Sequence, residues 1–204
     1  MENPFQNEVA PIRKTNFPVH PWILSRWSPR AMTGEPIDEK VLFSLFEAAR
    51  WAPSSYNNQP WRFLYAKRGT PQWDLFFNLM IDFNKGWTKN AAVLALVLSR
   101  THFEHNNKPC RTHSFDTGAA WMSMALEGAS QGLVLHGMEG FDYDKARKDL
   151  EIPQEYVVEA LIAIGKRAPP SSLPDELRER EKPSTRKEIA EFTREGKFQE
   201  WGAT

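Results

Sequence analysis

Pro53-Ser54-Ser55-Tyr56-Asn57-Asn58-Gln59-Pro60-Trp61 is a polar run closed at both ends by proline and set between two apolar elements. Upstream, Val41, Leu42, Leu45, Phe46 and Ala49 recur at helical spacing. The pattern predicts a helix over 38–51 with Asp38 as N-cap, ended before Pro53 because a residue preceding proline is disfavoured in the helical region. Downstream, residues 61–67 alternate as a strand does. Ser54, Ser55, Asn57 and Gln59 offer hydroxyl and amide groups that donate and accept. The stretch reads either as a satisfied turn or as a surface that presents hydrogen bonds to a heteroaromatic ring edge.

Working outward, residues 72–81 read as a second helix, with Trp73, Phe76, Phe77 and Met80 on one face. Residues 91–99 form a continuous apolar run, the pattern of a strand buried on both faces. A long helix is expected from Ser114 to about Gln131, its apolar side made of Ala119, Met122, Ala125, Leu126 and Ala129, with Gly132 just beyond its end. Residues 133–136 and 157–165 read as strands, with a short helix over 142–150 between them. Strands and helices alternate along one unit, so an α/β or α+β sandwich is expected.

The chain has 204 residues, 41% of them hydrophobic, enough for one core. Acidic and basic residues balance at 26 each, which argues against a polyanion such as nucleic acid as partner. Cys110 is the single cysteine, so no intrachain disulfide can form. The first residues lack a signal-peptide pattern, and the apolar run at 91–98 is too short to span a bilayer. A cytoplasmic protein without membrane contact is the expectation. Residues 1–21 read as a proline-rich arm and residues 22–168 as the main domain. Residues 169–204 read as a charged extension with sparse anchors at Leu177, Ile189, Phe192, Phe198 and Trp201, either a solvated tail or, as expected here, an arm that docks on a partner subunit.

Three further stretches carry chemistry. In Arg26-Trp27-Ser28-Pro29-Arg30 the proline keeps the chain extended, so residues 26, 28 and 30 share a face and two guanidiniums and a hydroxyl point together. Planar guanidiniums suit phosphate oxygens. In the stretch from His136 to Phe141, Gly137 and Gly140 follow a strand end, where backbone N–H groups can approach a ligand closely. His102, Glu104, His105, Cys110 and His113 are zinc-type ligands, but their spacing fits no common zinc motif and no metal is expected. G-x-G-x-x-G, P-loop and G-x-S-x-G motifs are absent.

Taken in order, the R-x-S-x-R stretch 26–30, the P-S-S-x-N-x-Q-P-W stretch 53–61, the turn around Gly140-Phe141-Asp142 and the final strand ending at Gly165 resemble the nitroreductase family over roughly residues 22–190. The resemblance implies an α+β fold, a mixed central sheet flanked by helices, built as an intertwined homodimer with two FMN molecules in clefts between the subunits. It implies that Arg26, Ser28 and Arg30 hold the phosphate and ribityl end. Trp27, counted with that stretch, stands where a second basic or polar residue is common. Ser54, Ser55 and Asn57 would come from the other subunit, with Gln59 beside the same site. Glu139 and Gly140 would offer backbone N–H groups to the flavin edge. Asn84 would face the pyrimidine edge and Arg186 would meet the phosphate. Trp87 falls near where some members carry a lysine, a charge Lys85 or Lys89 could supply, and the loop 101–113 matches no family version.

The implied activity is two-step hydride transfer from NADH or NADPH through flavin N5 to a small oxidant such as a nitroaromatic or quinone. The cofactor carries the chemistry, so no side chain is assigned as an essential acid or base. Dehalogenation or ring oxidation on the same fold, or a flavin-binding module without turnover, are the alternatives.

Overall fold

The computed structural model describes residues 5–198, and Trp201 lies outside them. Four strands form the sheet: β1 (Trp61–Lys67), β2 (Val93–Arg100), β3 (Leu133–Met138) and β4 (Tyr156–Lys166), in the order β1-β2-β4-β3. Every pairing among them is antiparallel. β2 and β4 are central and apolar over almost their whole length, as strands covered on both faces must be. A register shift at Val97/Leu98 interrupts their ladder.

Helices cover both faces. On one face α3 (Glu39–Arg50) and α6 (His113–Ser130) bury Leu42, Leu45, Ala120 and Met124 against Val93, Ala95, Val97, Ile162 and Ile164. On the other face lie α4 (Trp73–Phe77), α5 (Asp82–Thr88) and α7 (Tyr143–Asp149). There Phe76, Leu79, Trp87 and Ala146 pack on Leu94, Leu96, Leu98 and Leu161. Each fully buried leucine contributes about 1.5–3 kcal/mol relative to exposure. Two short N-terminal helices, α1 (Gln6–Val9) and α2 (Pro21–Ser25), and α8 (Asp175–Arg178) near the C-terminal end complete the chain.

The periodicity of residues 38–51 is realised closely: α3 starts after Asp38, whose carboxylate accepts from the Lys40 N–H at 2.8 Å. The helix expected over 72–81 is shorter. It ends at Phe77, because Met80 leaves the helical path to bridge Phe141, the Ile81 N–H donates to the Gly140 carbonyl at 3.2 Å, and the Asp142 N–H donates to Leu79. The buried face of α6 also differs from the expected one. It runs through Ala120, Met124, Ala125, Gly128 and Ala129, and Met122 is exposed. The helix is covered from two sides, by α3 and by the sheet, so a single apolar stripe does not describe it. Gly132 takes φ +73°, the left-handed conformation a residue past a helix end adopts. β3 runs two residues beyond the expected His136, so Gly137 lies within the strand.

In the extension beyond Pro169, Leu173 and Leu177 are buried in their own chain's core, whereas the expected anchors Ile189, Phe192 and Phe198 are exposed. No helix among the described residues is long and apolar enough to cross a membrane.

Candidate functional site

Two groups of polar residues stand at opposite ends of α6. The first gathers around residues 26–30, which belong to no helix and no strand of the sheet. Side chains hold this backbone instead. Arg13 Nη1 donates to the carbonyls of Leu24 and Arg26, the latter at 2.9 Å. His136 Nδ1 lies 2.9 Å from the Pro29 carbonyl oxygen and so donates to it. Arg26, Ser28 and Arg30 share one cleft of about 300 Å³ with Arg13, Arg180, Lys182 and Arg186. Arg26 Nη1 donates to Ser28 Oγ at 3.3 Å.

This cleft is strongly cationic. No ion pair neutralises Arg13, Arg26, Arg30 or Arg186 among the described residues. The Nε atoms of Arg26 and Arg30 are sealed from solvent without a hydrogen-bond partner. Burial, with Arg186 and Arg26 nearby, lowers Arg13 to about 10, and burial with Arg186 lowers Arg26. Guanidiniums gathered without a counter-ion among the described residues suit an anion, and a phosphate monoester offers forked acceptors to them. Trp27 borders the cleft, but its indole is buried with Phe5, Val9 and Ala129, under the Arg167 guanidinium, and donates to Glu8 at 3.0 Å. Its indole is thereby committed to packing.

His136 joins this cleft to a second feature. Its ring lies 4.6 Å from that of Trp87. Trp87 Nε1 donates to Asn84 Oδ1 at 3.2 Å, and Asn84 Nδ2 donates to the Gly140 carbonyl at 2.9 Å. Asn84 is buried and ties α5 to the turn that carries Glu139 and Gly140. A Cβ on Gly140 would stand 2.6 Å from Asn84 Nδ2, so only glycine admits this approach. Of the lysines considered near this point, Lys85 pairs with Asp82 at 3.4 Å and Lys89 is exposed.

The second group is the turn 53–61. Tyr56, Asn57 and Gln59 have φ of 52°, 53° and 49°. Such backbone is uncommon outside glycine and persists when neighbours over-determine it. The neighbours are present. Gln59 N–H donates to Ser54 Oγ at 3.0 Å, Asn57 N–H to the Ser54 carbonyl at 3.0 Å, and Ser55 N–H to Asp116 Oδ2 at 3.0 Å. The loop 101–113 lies against this turn: Phe103 meets Tyr56 edge-on at 5.7 Å and Glu104 N–H donates to Asn58 Oδ1 at 3.0 Å. Its zinc-type side chains are dispersed. His113 Nδ1 is 2.7 Å from Ser99 Oγ, Glu104 pairs with Arg62 and Arg100, and Cys110 is buried. No group of three His, Cys, Asp or Glu among the described residues could hold a metal.

The turn is bound to Asp116 and Trp27 packs on Ala129. These anchors are thirteen positions apart in the helix, about 20 Å at 1.5 Å per residue. One chain therefore brings Arg26, Ser28, Arg30 and Arg186 together and links Asn84 and Gly140 to them, but holds Ser54, Ser55, Asn57 and Gln59 at a distance. Sequence reading missed Arg13, Arg180, Lys182 and His136 as parts of the first group, and Glu181, whose carboxylate accepts from the Arg30 N–H at 2.9 Å. Only the density of charge in the extension hinted at three of them.

Comparisons with known proteins agree with the fold. The chain is 45% identical to an oxidoreductase containing FMN, with a TM-score of 0.88 over 92% of this chain and 96% of that one. It is 26% identical to a protein of Desulfovibrio desulfuricans described as a nitroreductase in complex with FMN, with a TM-score of 0.70 over 91% of this chain and 100% of that one. A nitroreductase family protein of Streptococcus pneumoniae shares the fold at 21% identity, with a TM-score of 0.67 over 84% and 96% of the two chains. Among curated proteins none matches. The sequence pattern of the Nitroreductase family is matched over residues 23–70 and 68–166. With that match spanning all four strands, the stretch 26–30 and the turn 53–61, the chain belongs to the nitroreductase family.

Proposed function

We propose that the chain is an FMN-dependent oxidoreductase that takes hydride from NADH or NADPH onto flavin N5 and passes it to a nitroaromatic, a quinone or a similar small oxidant. The observation that carries this reading is the cleft lined by Arg13, Arg26, Arg30 and Arg186, which have no ion pair among the described residues and whose guanidiniums suit a phosphate group. A flavin mononucleotide carries that phosphate, and the 45%-identical oxidoreductase contains FMN.

Each part of the chain then has a task. Arg26, Ser28, Arg30, Arg186 and Arg13 hold the phosphate end. Asn84 holds the turn at Glu139 and Gly140, which borders the ring edge. Ser54, Ser55, Asn57 and Gln59 serve the flavin held by a second copy, because they sit at the opposite end of α6 from their own arginines. The protein acts as a cytoplasmic homodimer in which a single folded chain has an incomplete site. Tyr56, Phe103 and His105, at the edge of the turn, line the side from which an oxidant enters.

The test is spectroscopic. Purified protein should be yellow. Anaerobic NADH or NADPH should bleach it, and a nitroaromatic or quinone should restore the colour. Colour that never bleaches with either nucleotide would sink the enzyme reading and leave a flavin-binding module.

A further inference from the structure

Glu181 lies in a stretch whose composition reads as a solvated run of charge, yet its side chain is fully buried, at 0% exposure. Its carboxylate accepts from the Arg30 N–H at 2.9 and 3.0 Å and from the Ala31 N–H at 2.9 Å. Arg167 Nη1 donates to the same carboxylate at 2.6 Å. A buried carboxylate needs such a complement of donors, and charge-assisted bonds of this kind are the stronger ones. The partners are 151 residues apart in the chain.

The consequence falls on the arginines. Residues 26–30 have no sheet partner to set their backbone. Arg13 holds the carbonyl of Arg26, His136 that of Pro29, and Glu181 the N–H groups of Arg30 and Ala31. Glu181 thus fixes the peptide from which the Arg30 side chain departs. Its own charge is shared with Arg167, so the carboxylate orients Arg30 without forming an ion pair with its guanidinium.

We propose that Glu181 is a positioning residue for the phosphate site: it aims the Arg30 guanidinium into the cleft and makes anion binding depend on the docking of the C-terminal segment. This rests on the reading of that cleft as the place of the FMN phosphate.

The test uses the full-length chain freed of flavin, with the variants Glu181→Gln and Glu181→Asp. Glutamine keeps the shape and one acceptor oxygen but loses the charge; aspartate keeps the charge and falls one methylene short. Three quantities are measured: the Kd for FMN, the Kd for riboflavin, which lacks the phosphate, and the rise in melting temperature caused by inorganic phosphate. Positioning predicts that the FMN Kd rises roughly tenfold, the scale of one misaligned charge-assisted bond, while the riboflavin Kd stays within about twofold. The phosphate-induced rise should shrink, and Glu181→Gln should add nothing in an Arg30→Ala background.

Equal loss for both flavins, no loss, or additivity with Arg30→Ala would overturn the proposal. So would failure of both variants to fold, which would make Glu181 a structural staple. Wild-type protein that binds inorganic phosphate but not FMN would sink the FMN reading and leave the phosphate arm to decide the role of Glu181. Wild-type protein that binds neither overturns both.

Discussion

The backbone N–H of Ser55 donates to Asp116 Oδ2 at 3.0 Å, fastening the polar turn after α3 to the first turn of α6. Thr112 Oγ1 donates to the same oxygen at 3.0 Å, and Asp116 is only 4% exposed. Its negative charge also suits a helix N-terminus.

Asp116→Ala leaves the Ser55 N–H without its acceptor and should cost about 1–3 kcal/mol. The left-handed residues of the turn, Tyr56 and Asn57, lose the tether that holds them. Calorimetry should show a lower Tm, and amide exchange should speed up in the turn. An unchanged Tm with unchanged exchange would mean that the turn holds itself.

Asn84→Ala removes the donor to Gly140 and the acceptor of the Trp87 indole at once. One buried and one part-buried hydrogen bond go, so the urea midpoint should fall by the equivalent of about 2–3 kcal/mol. The Trp87 indole N–H resonance should move. A midpoint within error of wild type would show that Met80 and Phe141 hold the turn alone.

Arg26→Ala combined with Arg30→Ala should yield colourless protein, because charge-assisted bonds anchor the cofactor phosphate. The flavin-free form should lose little stability, since Arg26 is lowered by burial and by Arg186 and itself helps to lower Arg13. Full retention of FMN in the double variant would contradict the placement of the phosphate.

His136 titrates below the usual histidine range. Burial is the main cause, opposed by the Pro29 carbonyl; Arg30 adds to the lowering and Glu181 opposes it. The unfolded chain then binds a proton near the ordinary value of about 6.5 while the folded chain stays neutral. Stability is therefore full above about pH 6.5 and falls as pH drops from there toward the lower folded value. His136→Gln should flatten that part of a pH series of urea unfolding curves. An equally steep loss in the variant would assign it to other groups.

Chelation tests the loop 101–113. Its histidines and Cys110 are dispersed, so dialysis against a strong chelator should leave the Tm within error, and zinc should not raise it. A zinc-dependent rise of several degrees would show a site assembled from this loop.

The local elements were legible because short-range periodicity and capping encode them. Asp38 with the apolar spacing of α3, the alternation of β1 and the unbroken apolar run of β2 each carry their conformation within a few residues. The break after Phe77 was not legible, because a bridge to Phe141, some sixty residues on, competes with a good helical pattern. Nor was the buried face of α6, where two layers of cover replace one stripe.

The amino-acid pattern suffices for the family, through the ordered stretches 26–30, 53–61 and 139–142, and for the chemistry those side chains can offer. Their arrangement follows from the path of the chain. Arg13, Arg26, Arg30 and Arg186 meet because the N-terminal arm and the C-terminal extension fold onto the same stretch, and Glu181 reaches Arg30 across 151 residues. Ser54 and Ser55 are kept from them by the length of α6, a rigid rod whose rise per residue sets the distance. Charge attracts an anion to a cleft, but where a cleft forms is a property of packing between distant segments, and no local run of residues records it.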